Sequence, residues 1–354
     1  MERFRLRTEV VLGENPLSAL SALADRRVLI VTDRFLVTSG LIGRVREHLK
    51  GEVEVFDRVK PDPPLSLVAE GVEVYRRFRP QAVAAFGGGS PLDCAKAMVH
   101  YALEPGEERP PFYAIPTTAG TGSEVTSFAV VTHEGVKLPL VDDALVPDVA
   151  ILEPAFLSGV PGPVTADTGM DVLTHAAEAW AARGASDFTD ALAGQAFAQA
   201  WRGLPRAVEG DGAARGEMLR ASCLAGAAFN AAGLGLCHAL AHALGGRFHL
   251  PHGRLNGILL PHVIRFNGQA GRYGELARRA GLSAAGWQGF AAAVGRLRDR
   301  LSMPASLTGA GLEREAVLAA EDAVAEAALA DVCLPGNPRQ AGRDDVKRLL
   351  REAL

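Results

Sequence analysis

Three short apolar runs, each leading into a stretch with helical periodicity, constrain the fold of this chain more than any other feature. They are Arg27 to Asp33 (RVLIVTD), Val53 to Phe56, and Ala82 to Phe86. The first and third are apolar almost throughout, which marks strands buried on both faces and therefore a parallel sheet covered by helices. Helical segments are expected over Leu41 to Leu49 and about Leu65 to Phe78, where Pro80 ends the second. From about Pro154 the pattern changes to alanine- and leucine-rich segments such as Phe188 to Trp201 and Arg215 to Asn230, which read as helices. Gly159, Pro161, Gly162 and Pro163 break any regular element between the two patterns. A chain of 354 residues is long for one hydrophobic core. The expected organisation is an α/β domain over 1–157 followed by an all-α domain over 158–354.

Charge narrows the partners. A net charge of -4 gives no broad positive field for nucleic acid or an anionic membrane. The N-terminal segment has no apolar core of signal-peptide length, and no window approaches a membrane-spanning run. The four cysteines, Cys94, Cys223, Cys237 and Cys333, show no CxxC spacing. These features point to a cytoplasmic protein that acts on small molecules.

The third strand runs into Gly87-Gly88-Gly89-Ser90 and a helix near Pro91. Unhindered backbone N–H groups at a helix start suit a pyrophosphate, and Ser90 adds a hydroxyl. Asp93, one turn in, would fix the loop or favour the helix dipole. The bland alternative is a tight turn that binds nothing, because this is not the GxGxxG fingerprint. A second segment, Pro116 to Glu124 (PTTAGTGSE), follows another expected strand, Phe112 to Ile115, and brings further hydroxyls to the same edge of the sheet. Asp33 ends a strand where a carboxylate can accept from an adenosine ribose and repel a 2′-phosphate, which favours NAD over NADP; capping the next turn is the rival reading.

Of nine histidines, five fall between 238 and 262. His238 and His242 (HALAH) are four apart and share a helix face; that helix is expected to stop at Gly245-Gly246, placing His252 in a following loop. Asp171 and His175 (GMDVLTH) share the face of another helix. Asp171, His175, His238 and His252 together make a nitrogen and oxygen set suited to iron(II) or zinc(II). Any one histidine of this kind is more often a buried, hydrogen-bonded residue, and His249 and His262 are assigned to that role. HALAH lacks the glutamate of the protease motif HExxH, since Ala239 stands there.

These residues sit in longer stretches: VLIVTD at 28–33, GGGSPLD at 87–93, PTTAGTGSEVT at 116–126, LVPDVAILEP at 145–154, TADTGMDVLTHAAEA at 165–179, HALAHALGGRFHLPHGRLNGILLPHV at 238–263 and CLPGNPR at 333–339. In them the chain resembles the iron-containing, or group III, alcohol dehydrogenase family, nearly end to end. The resemblance implies a dinucleotide-binding α/β domain, an all-helical domain and an active site in the cleft between them. It implies NAD(H) and one divalent metal, Fe2+ or Zn2+, on Asp171, His175, His238 and His252, with His242 in proton transfer. Gly87, Gly88, Gly89, Ser90, Asp93, Thr117, Thr118 and Lys137 match the family's cofactor contacts. Asp62 departs from the pattern, standing where many members have asparagine. DFTDALA at 187–193 is similar to the branch acting on short primary alcohols such as ethanol and propanol, and a homodimer is implied. Two other readings stay open: a zinc-using sister enzyme (a glycerol or sugar-phosphate dehydrogenase, or a dehydroquinate synthase-like lyase), and an idle nucleotide- or metal-binding regulator.

Overall fold

A computed structural model of the chain describes residues 4–104, 106–133, 136–284 and 286–354. It divides into two compact units, one over Leu6–Gly159 and the other over Val160–Leu354 with the N-terminal residues up to Arg5.

The first unit contains strands β1 (Glu9–Val11), β2 (Val28–Asp33), β3 (Val53–Val59), β4 (Ala82–Gly87), β5 (Phe112–Pro116), β6 (Phe128–His133), β7 (Val136–Val141) and β8 (Val149–Ile151). Six of them form a parallel sheet in the order β1-β8-β5-β4-β2-β3, while β6 and β7 pair as a separate antiparallel hairpin. Alternation along β2 and β4 explains why both strands are apolar throughout. Leu29, Val31, Val83 and Ala85 enter one core, whereas Val28, Ile30, Ala82, Ala84 and Phe86 enter another on the opposite face. Helices α3 (Leu65–Phe78) and α4 (Gly89–Ala102) cover the first face with Leu67, Val68, Val72, Leu92 and Met98. The second face is covered by α1 (Arg34–Thr38), α2 (Ile42–Arg46) and a 3-10 segment, Pro16–Leu23. The stretch read as one helix over 41–49 is thus shorter than expected, with α2 ending at Arg46 and an extra turn, α1, starting directly from Asp33.

The second unit is helical: α5 (Gly162–Ala181), α6 (Asp187–Val208), α7 (Gly212–Ala232), α8 (Leu236–Phe248), α9 (His252–Asn267), α10 (Tyr273–Arg279), α11 (Gly286–Arg300), α12 (Arg314–Ala330) and α13 (Arg343–Glu352). Helix α5 packs on α6, α7 and α9, and nearly every residue from Thr165 to Ala181 is buried. Among the described residues no single helix is long and apolar enough to cross a membrane; α7 and α8 reach that length and composition only as a pair bent by 105°.

Two local features differ from the pattern expected of the sequence. Helix α8 does not stop at Gly245-Gly246 but continues to Phe248, where His249 ends it in the left-handed conformation with φ 56°. Glycine costs only about 1 kcal/mol inside a helix, which packing readily outweighs. His252 is not a loop residue either; it opens α9, directly after Pro251.

Candidate metal centre and cofactor cradle

The cradle is built almost entirely from backbone. β4 and β5 are hydrogen-bonded neighbours, so their ends, Gly87 and Pro116, lie side by side, and the Thr117 amide donates to the Gly87 carbonyl at 2.9 Å. Gly87 has φ 154°, and a Cβ there would overlap the Pro91 ring, so the turn into α4 closes tightly only around glycine. A Cβ on Gly89 would come within 2.8 Å of Thr121 Cγ2, and one on Gly88 within 3.2 Å of Thr118 Oγ1. The two loops therefore interlock. No side chain caps the start of α4, whose first amides keep the donor capacity that a phosphate uses.

Asp93 works beneath this cradle. Ser123 Oγ donates to its carboxylate at 2.8 Å and the Val130 amide at 3.0 Å, which ties α4 to the threonine-rich loop and to β6. Burial raises its pKa against the opposing pull of Lys96. Lys96, which the sequence reading passed over, is fully buried and donates to the carbonyls of Thr126 and Phe128, both at 2.8 Å. Burial draws its pKa down to about 8, against the pull of Asp93 and Glu124. Asp33 caps the start of α1 through one carboxylate oxygen, Oδ1, which accepts from the Leu36 amide at 3.0 Å. Lys137 pairs with Asp62 at 2.8 Å, so the aspartate that departs from the family pattern neutralises the expected cofactor lysine.

The histidine cluster is built from side chains on three helices of the second unit. Asp171 Oδ1 lies 3.7 Å from His238 Nε2 and 3.5 Å from His252 Nε2. Ligand atoms about 2.1 Å from a cation at tetrahedral angles stand roughly 3.4 Å apart, so these three fit a first-row divalent metal. A close approach makes this possible: a Cβ on Gly253 would strike the Asp167 carbonyl oxygen, so the start of α9 reaches Asp171 only because the residue after His252 is glycine. His175 is not in this group of three. Its ring stacks between Phe229, at 4.5 Å between centroids, and His238, at 4.4 Å.

The cluster's electrostatics are those of a site prepared for positive charge. Burial opposes ionisation of Asp171, but the fields of His175, His252 and His238 overcome it and hold the carboxyl well below its ordinary range. Burial likewise opposes protonation of His238, yet hydrogen bonds and charge from Asp171 and Glu178 lift its pKa to about 9. A metal ion would take over the charge this proton carries.

His242, one turn along α8 from His238, stacks on His252 with centroids 5.1 Å apart. Its Nδ1 donates to Asp331 Oδ2 at 2.9 Å. Burial raises the Asp331 pKa, but that hydrogen bond and the nearby His242 charge bring it below the ordinary value. His249 is an exposed helix cap, and His262 faces Glu352 at 3.9 Å with a pKa lowered to about 4 by burial, Arg265 and Arg298.

Residues 7–154 match the family described as iron-containing alcohol dehydrogenase, and residues 165–354 match the C-terminal part of the Fe-containing alcohol dehydrogenase family. This chain belongs to the iron-containing alcohol dehydrogenase family. It is 44% identical over 370 residues to 1-propanol dehydrogenase PduQ of Salmonella typhimurium, with all of both chains covered. An NADPH-dependent butanol dehydrogenase of Clostridium saccharobutylicum is 36% identical over 376 residues, covering 99% of this chain and 97% of that one. The iron-containing alcohol dehydrogenase of Thermococcus thioreducens superposes with a TM-score of 0.93 at 32% identity, covering 99% of each chain.

In this member of the family three polar residues beside the cluster escaped the sequence reading. Glu178 takes Nδ1 of His238 at 2.6 Å, and Asn256 donates its amide to Asp171 Oδ1 at 2.7 Å. Asp331 is the partner of His242. The first two carried a signal, because Glu178 follows Asp171 and His175 at helical spacing and Asn256 follows His252 by four. Asp331, remote in sequence, carried none. Arg254, on α9 two residues beyond His252, donates to the Asp167 carboxylate at 2.9 and 3.2 Å.

Proposed function

We propose that this iron-containing alcohol dehydrogenase interconverts short primary alcohols and aldehydes with NAD(H), using a divalent metal held by Asp171, His238 and His252 with His175 as fourth ligand. The observation that carries the proposal is the approach of Asp171 Oδ1 to both His238 Nε2 and His252 Nε2 at 3.5 to 3.7 Å, in donor chemistry suited to a divalent cation. Iron(II) is the ion proposed, and zinc(II) would satisfy the same donors. When bound, the metal supplies Lewis acidity to the alcohol oxygen and the nicotinamide supplies the hydride acceptor.

The chain supplies binding, orientation and proton handling. Residues 1–157 would bind the dinucleotide, with the amides from Gly87 to Ser90 and the hydroxyls of Thr117 and Thr118 holding the phosphates, and Asp93 acting through the loop it fixes. Lys137, neutralised by Asp62, would contact the cofactor without adding net charge. Asp33 favours NAD, because its carboxylate would repel the extra phosphate of NADP; the butanol dehydrogenase named above differs in being NADPH-dependent. Residues 158–354 would carry the chemistry. His242, held at Nδ1 by Asp331, keeps Nε2 available to accept the alcohol proton and return it in the reverse direction. Short primary alcohols are favoured by similarity to a 1-propanol dehydrogenase and a butanol dehydrogenase. A cytoplasmic homodimer without nucleic-acid or membrane partners completes the proposal.

The test is NADH consumption on adding propanal to iron(II)-loaded protein. Activity is expected to vanish on exhaustive chelation and to return with iron(II). Undiminished turnover after chelation, or full metal occupancy in His252→Ala, would overturn the assignment.

A further inference from the structure

Glu178 is among the most heavily used carboxylates in the structure. It is 2% exposed and lies on α5, two turns beyond Asp171. Its Oε1 accepts from the Cys237 amide at 2.7 Å; its Oε2 accepts from the Gly235 amide at 3.0 Å and the His238 amide at 3.3 Å, and lies 2.6 Å from His238 Nδ1. These amides open α8, whose start has no cap from Gly235 itself. One carboxylate therefore fixes both the first turn of the helix that carries His238 and the ring of His238.

A carboxylate can only accept, so Nδ1 of His238 must carry a hydrogen and donate it. In the neutral ring the lone pair is then on Nε2, the nitrogen that faces Asp171 Oδ1. Imidazole ligands of metals are oriented in this way by an acceptor on the far nitrogen, and losing that acceptor typically weakens metal binding by about 10- to 100-fold. Glu178 also joins α5, the source of Asp171 and His175, to α8, the source of His238.

We propose that Glu178 is the positioning residue of the metal centre, setting the tautomer and aim of His238 and, through the amides at the start of α8, its distance from Asp171. The inference rests on the metal reading above. Glutamine at this position would keep the size but replace one acceptor oxygen with a donor group, leaving an amide of α8 or His238 Nδ1 facing another donor.

The experiment measures zinc affinity by chelator competition in the wild type, Glu178→Gln, His238→Ala and Asn337→Ala. Asn337 accepts from the Leu236 amide at 3.2 Å, so its loss weakens the same helix start without touching the imidazole. Glu178→Gln is expected to bind zinc about 10- to 100-fold more weakly, while Asn337→Ala lowers the melting temperature and leaves zinc affinity near wild type. Nitrogen NMR of zinc-loaded wild-type protein with labelled histidine is expected to show a proton on His238 Nδ1, and this decides the matter if Glu178→Gln fails to fold. Wild-type affinity in Glu178→Gln, equal loss in Asn337→Ala, or an unprotonated Nδ1 would each overturn the role of Glu178 alone. Failure of the wild type to take up zinc, or unchanged uptake in His238→Ala, would instead overturn the metal reading.

Discussion

The cradle at the end of β4 and the cluster on α5, α8 and α9 solve two binding problems in opposite ways. The cradle is made mostly of main chain at the ends of two neighbouring strands: Gly87, Gly88 and Gly89 matter for the side chains they lack, and the strand, turn and helix that carry them follow one another in sequence. The cluster is non-local and made of side chains, with Asp171, His238 and His252 drawn from three helices and held by Glu178 and Asn256. A main-chain site is lost by adding atoms to it, whereas a side-chain site is lost by removing one group or its support.

The largest expected effect tests the cluster. His238→Ala should retain little metal and lose turnover by roughly 10³-fold or more, equivalent to about 4 kcal/mol in the barrier; metal analysis beside steady-state rates decides, and near-normal rates with full metal would end the contrast. His242→Ala should keep its metal but lose about 10²-fold in turnover, the lower range for removing a general acid or base, and parallel loss of metal would make His242 a ligand instead. Gly87→Ala tests the other region, where overpacking against Pro91 should cost about 1–3 kcal/mol of stability and weaken NAD binding. Metal content should not change. Denaturant unfolding and NAD titration read the first two effects, and a neutral result would show that the turn tolerates a Cβ.

The smallest effect sharpens the comparison through pH. In metal-free protein His238 has its pKa raised from 6.5 to about 9, so the stability it contributes is complete below 6.5 and lost as pH rises through 9. Lys96 has its pKa lowered from 10.5 to about 8, so the cost of its buried charge is relieved as pH rises from 8 toward 10.5. Between pH 8 and 9 the helical unit should lose protection and the α/β unit gain it, as hydrogen exchange resolved by segment would show. Shifts of the same sign in both units would contradict this assignment.

The chemistry of the site was legible earlier than its support. Periodicity placed β2, β4, α3 and the GGGS turn, and the four-residue spacings of Asp171 with His175 and of His238 with His242 marked two helix faces. The short β1, the β6–β7 hairpin and β8 were not legible, because a strand of three residues or a hairpin between loops gives no periodic signal apart from its partners. Glu178 and Asn256 carried only their helical spacing from Asp171, His175 and His252, which shows a shared face but not the partner each meets.

By itself the sequence determined which residues could bind: glycines that leave amides bare, and imidazoles and a carboxylate whose donor atoms suit a cation. Those are properties of residue type and short-range spacing. The tertiary structure alone decided that Asp171 meets His238 and His252, that Glu178 faces the first and that Asp331 faces His242. Such meetings depend on how helices pack, down to the missing Cβ of Gly253, and helix packing is settled by contacts between residues far apart in the chain.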